Sequence, residues 1–265
     1  MKQEILRHLT ECPWRDTLYW FDTIDSTNTR AKKMAAEGAP HGTVLVAGAQ
    51  TGGRGRLGRS FQSPQGMGVY LSVILRPKCP PDALMHLTCA AAVAMLDAIR
   101  DCAGFVPGIK WTNDLVCGKK KLGGILTELA VNPQTHLVDS AVIGIGINCL
   151  QKDTDFPHEI SDIATSLSIS AGRAISPARL AASMVSALHR MDGVLLTEKD
   201  QILQKYRRCC ITLGQNVSIV KGDAVSYGKA VDLDEDGALI VQRPDGSIET
   251  VQSGEVSVRG MYGYI

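Results

Sequence analysis

Residues 53–58 constrain the fold more than any other part of the chain. They read Gly-Arg-Gly-Arg-Leu-Gly, which matches the G-x-G-x-x-G pattern of dinucleotide-binding folds. In those folds the pattern opens a helix, and an acidic residue follows about twenty positions later. Here the next regular segment, 67–75, has the β-branched run of a strand, and no acidic residue occurs between positions 60 and 81. We therefore expect a strand–loop–strand unit instead.

The same loop carries three arginines, Arg54, Arg56 and Arg59, among its glycines. Glycine lets backbone N–H groups approach a ligand closely, and arginine offers forked donors that suit phosphate or carboxylate. The pattern predicts a pliable clamp for an anion. A solvated hairpin tip is the alternative interpretation.

The composition is that of a globular protein with an uneven charge distribution. The 265 residues are 45% apolar, which is enough for a sizeable core and a small second domain. The net charge of +1 excludes an overall basic field for nucleic acid. From Ile211 onward the balance is −4, so the preceding part carries +5. This division favours a larger N-terminal domain that binds anionic ligands.

The eight cysteines form no C-x-x-C pair, and several lie within apolar segments. We interpret them as buried thiols in a reducing compartment, without a zinc site. The N-terminus has no secretory signal pattern, and the longest uninterrupted apolar run, 89–96, is too short to cross a bilayer. We expect a cytoplasmic protein with no membrane association.

Periodicity and capping residues predict an α+β fold in which a mixed or antiparallel sheet is flanked by helices. Ser26 or Thr27 is expected to cap the second helix. Helices are expected at 1–20, 26–38, 81–104, 177–192 and 198–209. Strands are expected at 42–50, 67–75, 108–117, 123–131 and 140–149. From about 213, short strands separated by Asp-Gly turns predict a small barrel, so we place the domains at 1–212 and 213–265.

Polar residues interrupt the apolar strands in two further segments. Lys110, Asn113, Asp114 and Lys121 are unusual in buried strands; they suit an enzyme that neutralises an anion and orients an amine, or alternatively a salt-bridged hairpin. Segment 143–148 has glycine at every second position, so one of its faces is shallow. That face suits a planar ligand or a tightly packed helix.

These segments together resemble the biotin protein ligases. The matching motifs, in order, are DSTN (25–28), GRGRLGRSF (53–61), KWTNDL (110–115), KLGGIL (121–126) and GIGIN (144–148). The resemblance extends from about residue 20 to the C-terminus. It implies a class II synthetase-like catalytic domain that binds biotin and ATP, followed by a small SH3-like β domain.

The resemblance also implies an activity. Biotin is activated with MgATP to biotinoyl-5′-AMP, pyrophosphate leaves, and biotin passes to one lysine of the biotin carboxyl carrier domain of a carboxylase. ATP and biotin are then substrates, Mg²⁺ is the cofactor with no metal ligand assigned in the chain, and a homodimer is possible. Since only 25 residues precede Ser26, we expect no DNA-binding domain.

Motif positions imply roles for individual residues. The biotin-binding set is Ser26, Thr27, Asn28, Gln50, Gly53, Arg54, Arg56, Lys121, Gly123 and Gly124. The nucleotide-binding set is Arg54, Arg56, Arg59, Phe61, Lys110, Asn113, Lys121 and Asn148. The catalytic set is Lys121, Arg54 and Asp114, with Asp114 expected to orient or deprotonate the acceptor lysine. A lipoate or octanoate ligase of the same superfamily and a non-catalytic biotin sensor remain the alternatives.

Overall fold

A computed structural model describes residues 1–252 and the backbone of residues 257–260. Its larger part contains the strands β1 Leu18–Ile24, β2 Thr43–Gln50, β3 Gly68–Leu75, β4 Gly108–Lys110, β5 Asp114–Cys117, β6 Lys120–Val131 and β7 Val138–Asn148. They form one sheet in the order β1-β2-β3-β7-β6-β5-β4. β1 runs parallel to β2, and the other neighbouring pairs are antiparallel. The predicted mixed sheet is therefore confirmed.

Helices bury both faces of this sheet. They are α1 Lys2–His8, α2 Thr27–Ala36, α3 Leu87–Ala103, α4 His158–Ser161, α5 Leu167–Ala171, α6 Pro177–Val194 and α7 Lys199–Cys209. Along β3, Val73 joins the apolar cluster of α3 and α6, whereas Ile74 joins the cluster of α2. Successive strand residues face opposite sides, so α2 covers one face and α3 with α6 covers the other.

Three predicted elements need correction. The expected helix over 1–20 is only α1, because Leu18–Ile24 is rich in aromatic and β-branched residues and pairs with β2 as strand β1. The expected strand over 108–117 is split into β4 and β5 by a turn at 111–113. The expected helix over 81–104 begins as the 3-10 turn Pro81–Leu84, and α3 follows after a break and ends at Gly104, whose φ is 83°.

The segment Pro81–Ala103 is long and apolar enough to cross a membrane by length and composition. The uninterrupted apolar run 89–96, from which the sequence analysis judged membrane crossing, is only one part of this segment. In the fold, α3 packs against α6, α7 and β6, and most of its side chains are buried. Packing at the centre of the protein accounts for its apolar character.

The smaller part of the molecule is a five-stranded antiparallel sheet. Its strands are β8 Asn216–Lys221, β9 Ala224–Leu233, β10 Leu239–Gln242, β11 Ile248–Val251 and β12 Ser257–Gly260, in the order β11-β10-β9-β8-β12. The two predicted Asp-Gly turns connect β9 to β10 and β10 to β11, and their glycines, Gly237 and Gly246, have φ values of 85° and 87°. The proposed boundary at 212/213 falls between α7 and β8 and stays a prediction.

Candidate active site

A cavity of about 670 Å³ opens where the N-terminus of α2, the loop 51–62, the turn 111–113 and strands β6 and β7 meet. This volume is within the range of small-molecule sites. The predicted site residues that line it are Ser26, Thr27, Asn28, Gln50, Arg54, Arg56, Arg59, Phe61, Lys110, Asn113, Asp114, Lys121 and Gly124. Tertiary structure thus brings together residues from four separate sequence motifs and Gln50 at the end of β2.

The glycine- and arginine-rich loop is a narrow hairpin that leads from β2 into β3. The Phe61 N–H donates to the Gly53 carbonyl over 2.9 Å, and the Gly55 N–H donates to the Arg59 carbonyl over 2.7 Å. At its tip Leu57 has a φ of 54° and is 56% exposed. The loop therefore opens no helix, as expected, and its tip contributes little to the core.

Arg56 points from this hairpin to the opposite wall. Its Nη1 donates to Asn113 Oδ1 over 3.1 Å. Burial lowers the pKa of Arg56, while the nearby Asp114 carboxylate acts in the opposite direction. A guanidinium with little water around it interacts more strongly with an anion than one in bulk solvent does.

Lys121 and Asp114 form an ion pair across the β5–β6 hairpin. The Nζ–Oδ1 distance is 2.7 Å, and Asn113 Nδ2 also donates to the same Asp114 oxygen over 3.2 Å. Asp114 pairs with Gly124 in the register of the two strands. A Cβ at Gly124 would lie 3.4 Å from both Asp114 Oδ1 and Lys121 Nζ, so the glycine leaves space beside the pair.

The N-terminus of α2 forms the far end of the cavity. Ser26 caps the helix, since its Oγ accepts from the Thr29 N–H over 3.4 Å. Gln50 Oε1 accepts from both the N–H and the hydroxyl of Thr27, at 2.8 and 3.1 Å. Gln50 Nε2 then donates to Ser63 Oγ. These bonds fix the orientation of the Gln50 amide at this end of the site.

The shallow glycine face of β7 is covered by protein side chains. Asn28, which belongs to α2, lies against Gly144, and the Phe61 ring lies against Gly146. Both covering side chains also line the cavity. A side chain of helix α2 therefore packs against Gly144 and the arginine-rich hairpin packs against Gly146, while both glycines also line the cavity; the expected planar ligand stays a prediction.

The chain matches two family models. Residues 20–148 match the Biotin/lipoate A/B protein ligase family, and residues 212–259 match the Biotin protein ligase C terminal domain. The bifunctional ligase/repressor BirA of Bacillus subtilis is 36% identical over 242 residues, which cover 91% of this chain and 74% of that protein. The chain belongs to the biotin protein ligase family.

Further relatives agree with this membership. The biotin--[acetyl-CoA-carboxylase] ligase of Mycobacterium tuberculosis is 32% identical, with 87% of this chain and 85% of that protein covered. The solved biotin protein ligase from Aquifex aeolicus in complex with biotin and ATP superposes with a TM-score of 0.78 at 29% identity, covering 92% of this chain and 98% of that one. The resemblance found in the motifs is confirmed for family and fold.

Three predicted site residues of this biotin protein ligase family member do not reach the cavity. Gly53 is buried inside the hairpin, where a Cβ would collide with the Phe61 carbonyl. A Cβ at Gly123 would lie 2.5 Å from the Gly146 carbonyl, so this glycine permits close approach of β6 and β7. Asn148 donates to the Thr165 carbonyl and accepts from Gln151, and it is 7% exposed. Its predicted contact with adenine stays a prediction.

Several further residues line the cavity without having been assigned to a binding set from the sequence. They are Gly55, Leu57, Ser60, Trp111, Ile125, Leu126, Gly144, Ile145, Gly146 and Ile163. All of them except Ile163 lie inside the quoted motifs, and the face that carries Gly144 and Gly146 is the one expected to suit a planar ligand or a packed helix. Ile163 lies outside every quoted motif, so no sequence pattern pointed to it. The fold brings it to the site through a backbone hydrogen bond, in which its carbonyl accepts from the Lys121 N–H over 2.6 Å.

Glu128 organises charge just behind the cavity wall. It accepts from Lys32 Nζ over 2.8 Å and from Asn28 Nδ2 over 3.0 Å, and Arg54 Nη1 lies 3.6 Å away. Burial acts to raise the pKa of Glu128, but hydrogen bonds from Lys32 and Asn28 and the charges of Lys32 and Arg54 outweigh it and lower the pKa. Its carboxylate therefore connects the α2 end of the site to the arginine hairpin.

The charge of the cavity wall favours an anionic ligand. Its described lining residues include five cations, Arg54, Arg56, Arg59, Lys110 and Lys121, and a single carboxylate, Asp114, which pairs with Lys121. Within residues 1–252 and 257–260, no group of three His, Cys, Asp or Glu side chains could hold a metal ion. The site can therefore stabilise negative charge with its own side chains.

Proposed function

We propose that this chain is a biotin–[acetyl-CoA-carboxylase] ligase. It activates biotin with MgATP to biotinoyl-5′-AMP, releases pyrophosphate and transfers the biotin to a lysine of a carrier domain. The observation that carries the proposal is the cavity of ligand size with five cations and one already paired carboxylate, in a chain that matches the Biotin/lipoate A/B protein ligase family and the Biotin protein ligase C terminal domain.

The first half-reaction explains the need for these cations. The biotin carboxylate attacks the α-phosphorus of ATP, an acyl–phosphate anhydride forms, and the bond to the departing pyrophosphate breaks. Two unit charges of like sign 4 Å apart repel by about 4 kcal/mol at an effective dielectric constant of about 20. Lys121, Arg54 and Arg56 offset this repulsion, and Lys121 acts with little reorganisation because its ion pair with Asp114 already holds it in place.

The second half-reaction places a different demand on Asp114. The amine of the carrier lysine attacks the acyl carbon, AMP leaves with the bonding electron pair, and the amine loses a proton. Asp114 accepts from Lys121 and Asn113, both at its Oδ1 atom. An ionised carboxylate can accept further donors while it is paired, so Asp114 can orient the acceptor lysine with its Lys121 ion pair in place.

The arginine hairpin is proposed to act as a lid. Arg56 spans the cavity to Asn113, whereas the tip at Leu57 is exposed to solvent. A loop with few apolar contacts orders at low cost when a ligand adds contacts. Ordering over the mixed anhydride keeps water away until the carrier arrives.

Mg²⁺ fits this site as the companion of ATP. Mg²⁺ is commonly held by one or two carboxylates together with substrate phosphates. Asp114 is the one carboxylate among the described lining residues, so the nucleotide would supply most of the ligands. When bound, the ion adds positive charge near the phosphates.

The remaining proposals concern partners and location. The partner is a biotin carboxyl carrier protein or domain, a homodimer is possible, and we expect no binding to DNA or to membranes. All eight cysteines are free thiols, and burial raises the pKa of those that are deepest, including Cys149 to about 12. Unreactive free thiols support a reducing, cytoplasmic setting.

The test is incubation with labelled biotin, MgATP and a purified biotin carrier domain. We expect covalent label on the carrier that survives denaturation, none without ATP, and none on a carrier whose acceptor lysine is replaced by arginine. Pyrophosphate exchange that is stimulated by lipoate or octanoate but not by biotin would support the lipoate ligase alternative. Adenylate binding without transfer in a single turnover would identify a sensor.

A further inference from the structure

The smaller domain makes a direct contact with the wall of the cavity. Trp111 lines the cavity, and its indole Nε1 donates over 2.9 Å to the carbonyl of Gly237, in the turn between β9 and β10. Asp234 Oδ1 holds this turn by accepting from the N–H groups of Asp236 and Ala238, at 2.9 and 2.8 Å. The turn is therefore a defined structure that reaches a site formed by the other domain.

The turn is fixed to the larger domain on two further sides. A Cβ at Gly237 would lie 2.8 Å from the Sγ of Cys89 on α3. Lys199 of α7 pairs with Asp236 over 2.5 Å, and Arg207 of the same helix donates to the carbonyl of Leu233 over 2.7 Å. A displacement of the turn would consequently be transmitted to the indole, which has no other hydrogen-bonded partner for its N–H in the described structure.

The residues beside Trp111 are also held from behind. The Trp111 N–H donates to Thr212 Oγ1, and the hydroxyl of Tyr206 donates to the Thr112 carbonyl, both over 2.9 Å. The wall that presents Lys110 and Asn113 to the cavity therefore depends on contacts from α7, from the segment after it and from the smaller domain.

This wall lies at one end of the site. β4 is four places from β3 in the sheet, which corresponds to roughly 19 Å at the usual spacing between strands. The N-terminus of α2 packs over the β3 side, and the Lys110–Asn113 wall follows β4. Moving Trp111 should therefore affect a ligand at the β4 end more than a ligand beside Ser26 and Thr27.

We propose that the turn at 234–238 is a positioning element for the nucleotide end of the cavity and that it acts through Trp111. Assigning the nucleotide to the β4 end rests on the proposed function. Gly237 carries this role because its lack of a side chain lets the turn fit against Cys89 while its carbonyl reaches the indole.

The molecule provides a matched control for the test. Gly237 and Gly246 both follow an aspartate and have φ values of 85° and 87°, so alanine adds similar backbone strain at either position. A Cβ at Gly246 meets nothing within 4 Å, whereas a Cβ at Gly237 meets Cys89. Comparing Gly237→Ala with Gly246→Ala separates loss of the contact from strain in a turn.

The experiment measures biotin-dependent ATP–pyrophosphate exchange with the full chain. For Gly237→Ala we expect the KM for MgATP to rise about threefold to tenfold, the cost of one misplaced hydrogen-bonded contact, with a change of less than about twofold in the KM for biotin. Gly246→Ala should leave both values near wild type. Adding Cys89→Ala to Gly237→Ala removes the crowded Sγ, so the KM for MgATP of the double variant should return most of the way to the wild-type value.

Equal effects of the two glycine substitutions, or equal shifts in both KM values, would overturn the proposal. If Gly237→Ala does not fold, Asp236→Asn removes the ion pair with Lys199 without adding an atom, and Asp245→Asn is its counterpart in the other turn. An unchanged KM for MgATP in Asp236→Asn would also overturn it. Absence of biotin-dependent exchange in the wild-type protein would instead contradict the proposed function itself.

Discussion

Both walls of the cavity carry cationic side chains, but the two walls are built differently. The hairpin at 51–62 holds its shape through local backbone hydrogen bonds, and Arg54 and Arg59 are exposed. The opposite wall places Lys110 and Trp111 in a buried setting with hydrogen bonds from Thr212, Tyr206 and Gly237. The first wall can move at little cost, whereas the second can move only if the surrounding core moves.

This difference assigns separate tasks to the two walls. A fixed wall is suited to electrostatic stabilisation, which depends on groups that do not reorganise during the reaction. A movable wall is suited to admitting substrates and retaining a reactive intermediate. Substitutions on the fixed wall should therefore reduce the rate of the chemical step. Substitutions in the hairpin should instead affect how long the adenylate stays in the site.

The largest expected effect is at Lys121, whose ion pair with Asp114 holds it beside the fixed wall. Lys121→Ala should reduce adenylate formation by about 10²- to 10³-fold, because a charge-stabilising donor is lost from the site. Biotin affinity should change much less. Single-turnover formation of adenylate and calorimetric titration with biotin measure the two quantities. Lys119→Ala, in the exposed turn nearby, is the control, and equal losses of binding and rate would show that Lys121 is structural.

The support behind the fixed wall gives the next prediction. Burial raises the pKa of Tyr206, so its hydroxyl stays protonated and donates to the Thr112 carbonyl. Tyr206→Phe leaves that carbonyl without this donor and should reduce the free energy of unfolding by about 1–3 kcal/mol in denaturant titrations. Tyr227→Phe, at an exposed position, should have little effect. Equal stabilities of the two variants would contradict the proposed rigidity of this wall.

The hairpin should respond differently. Arg56→Gly removes the bond to Asn113 that spans the cavity, so adenylate should escape into solution about tenfold faster, as expected for one charged hydrogen bond of modest strength. The rate of adenylate formation should fall less than in Lys121→Ala. Release is measured by rapid filtration of preformed adenylate. An unchanged release rate would exclude the lid role of this hairpin.

The smallest effect is a pH dependence at Glu128. Its pKa is lowered in the fold, so the stability it contributes is fully present above the ordinary glutamate pKa and is lost as the pH falls through the lowered value. The stability difference between wild type and Glu128→Gln should therefore be constant near neutral pH and shrink in acid. The stability difference between the two proteins should be below about 1 kcal/mol. A difference that grows in acid would contradict the interpretation.

Most secondary structure and much of the site could be predicted from local patterns. Ser26 or Thr27 was expected to cap the second helix, and the cap is Ser26; the strand leading out of the arginine hairpin was expected from its β-branched residues. The parallel edge strand Leu18–Ile24 was missed because a single edge strand leaves a weak periodic signal. The hydrogen bonds of Asn148 to Thr165 and Gln151 could not be predicted, because both partners follow it in irregular segments, and its contact with the nucleotide stays a prediction.

The amino-acid sequence by itself determined the order of the elements, the family and the cationic character of the site, because capping, strand propensity and the spacing of glycine and arginine are local properties. Only the tertiary structure decided which of these residues face the cavity and which support it. Gly53 and Gly123 serve backbone packing, Ile163 arrives from a distant segment, and the smaller domain reaches Trp111 through Gly237. These outcomes depend on contacts between residues far apart in the chain, which no local pattern specifies.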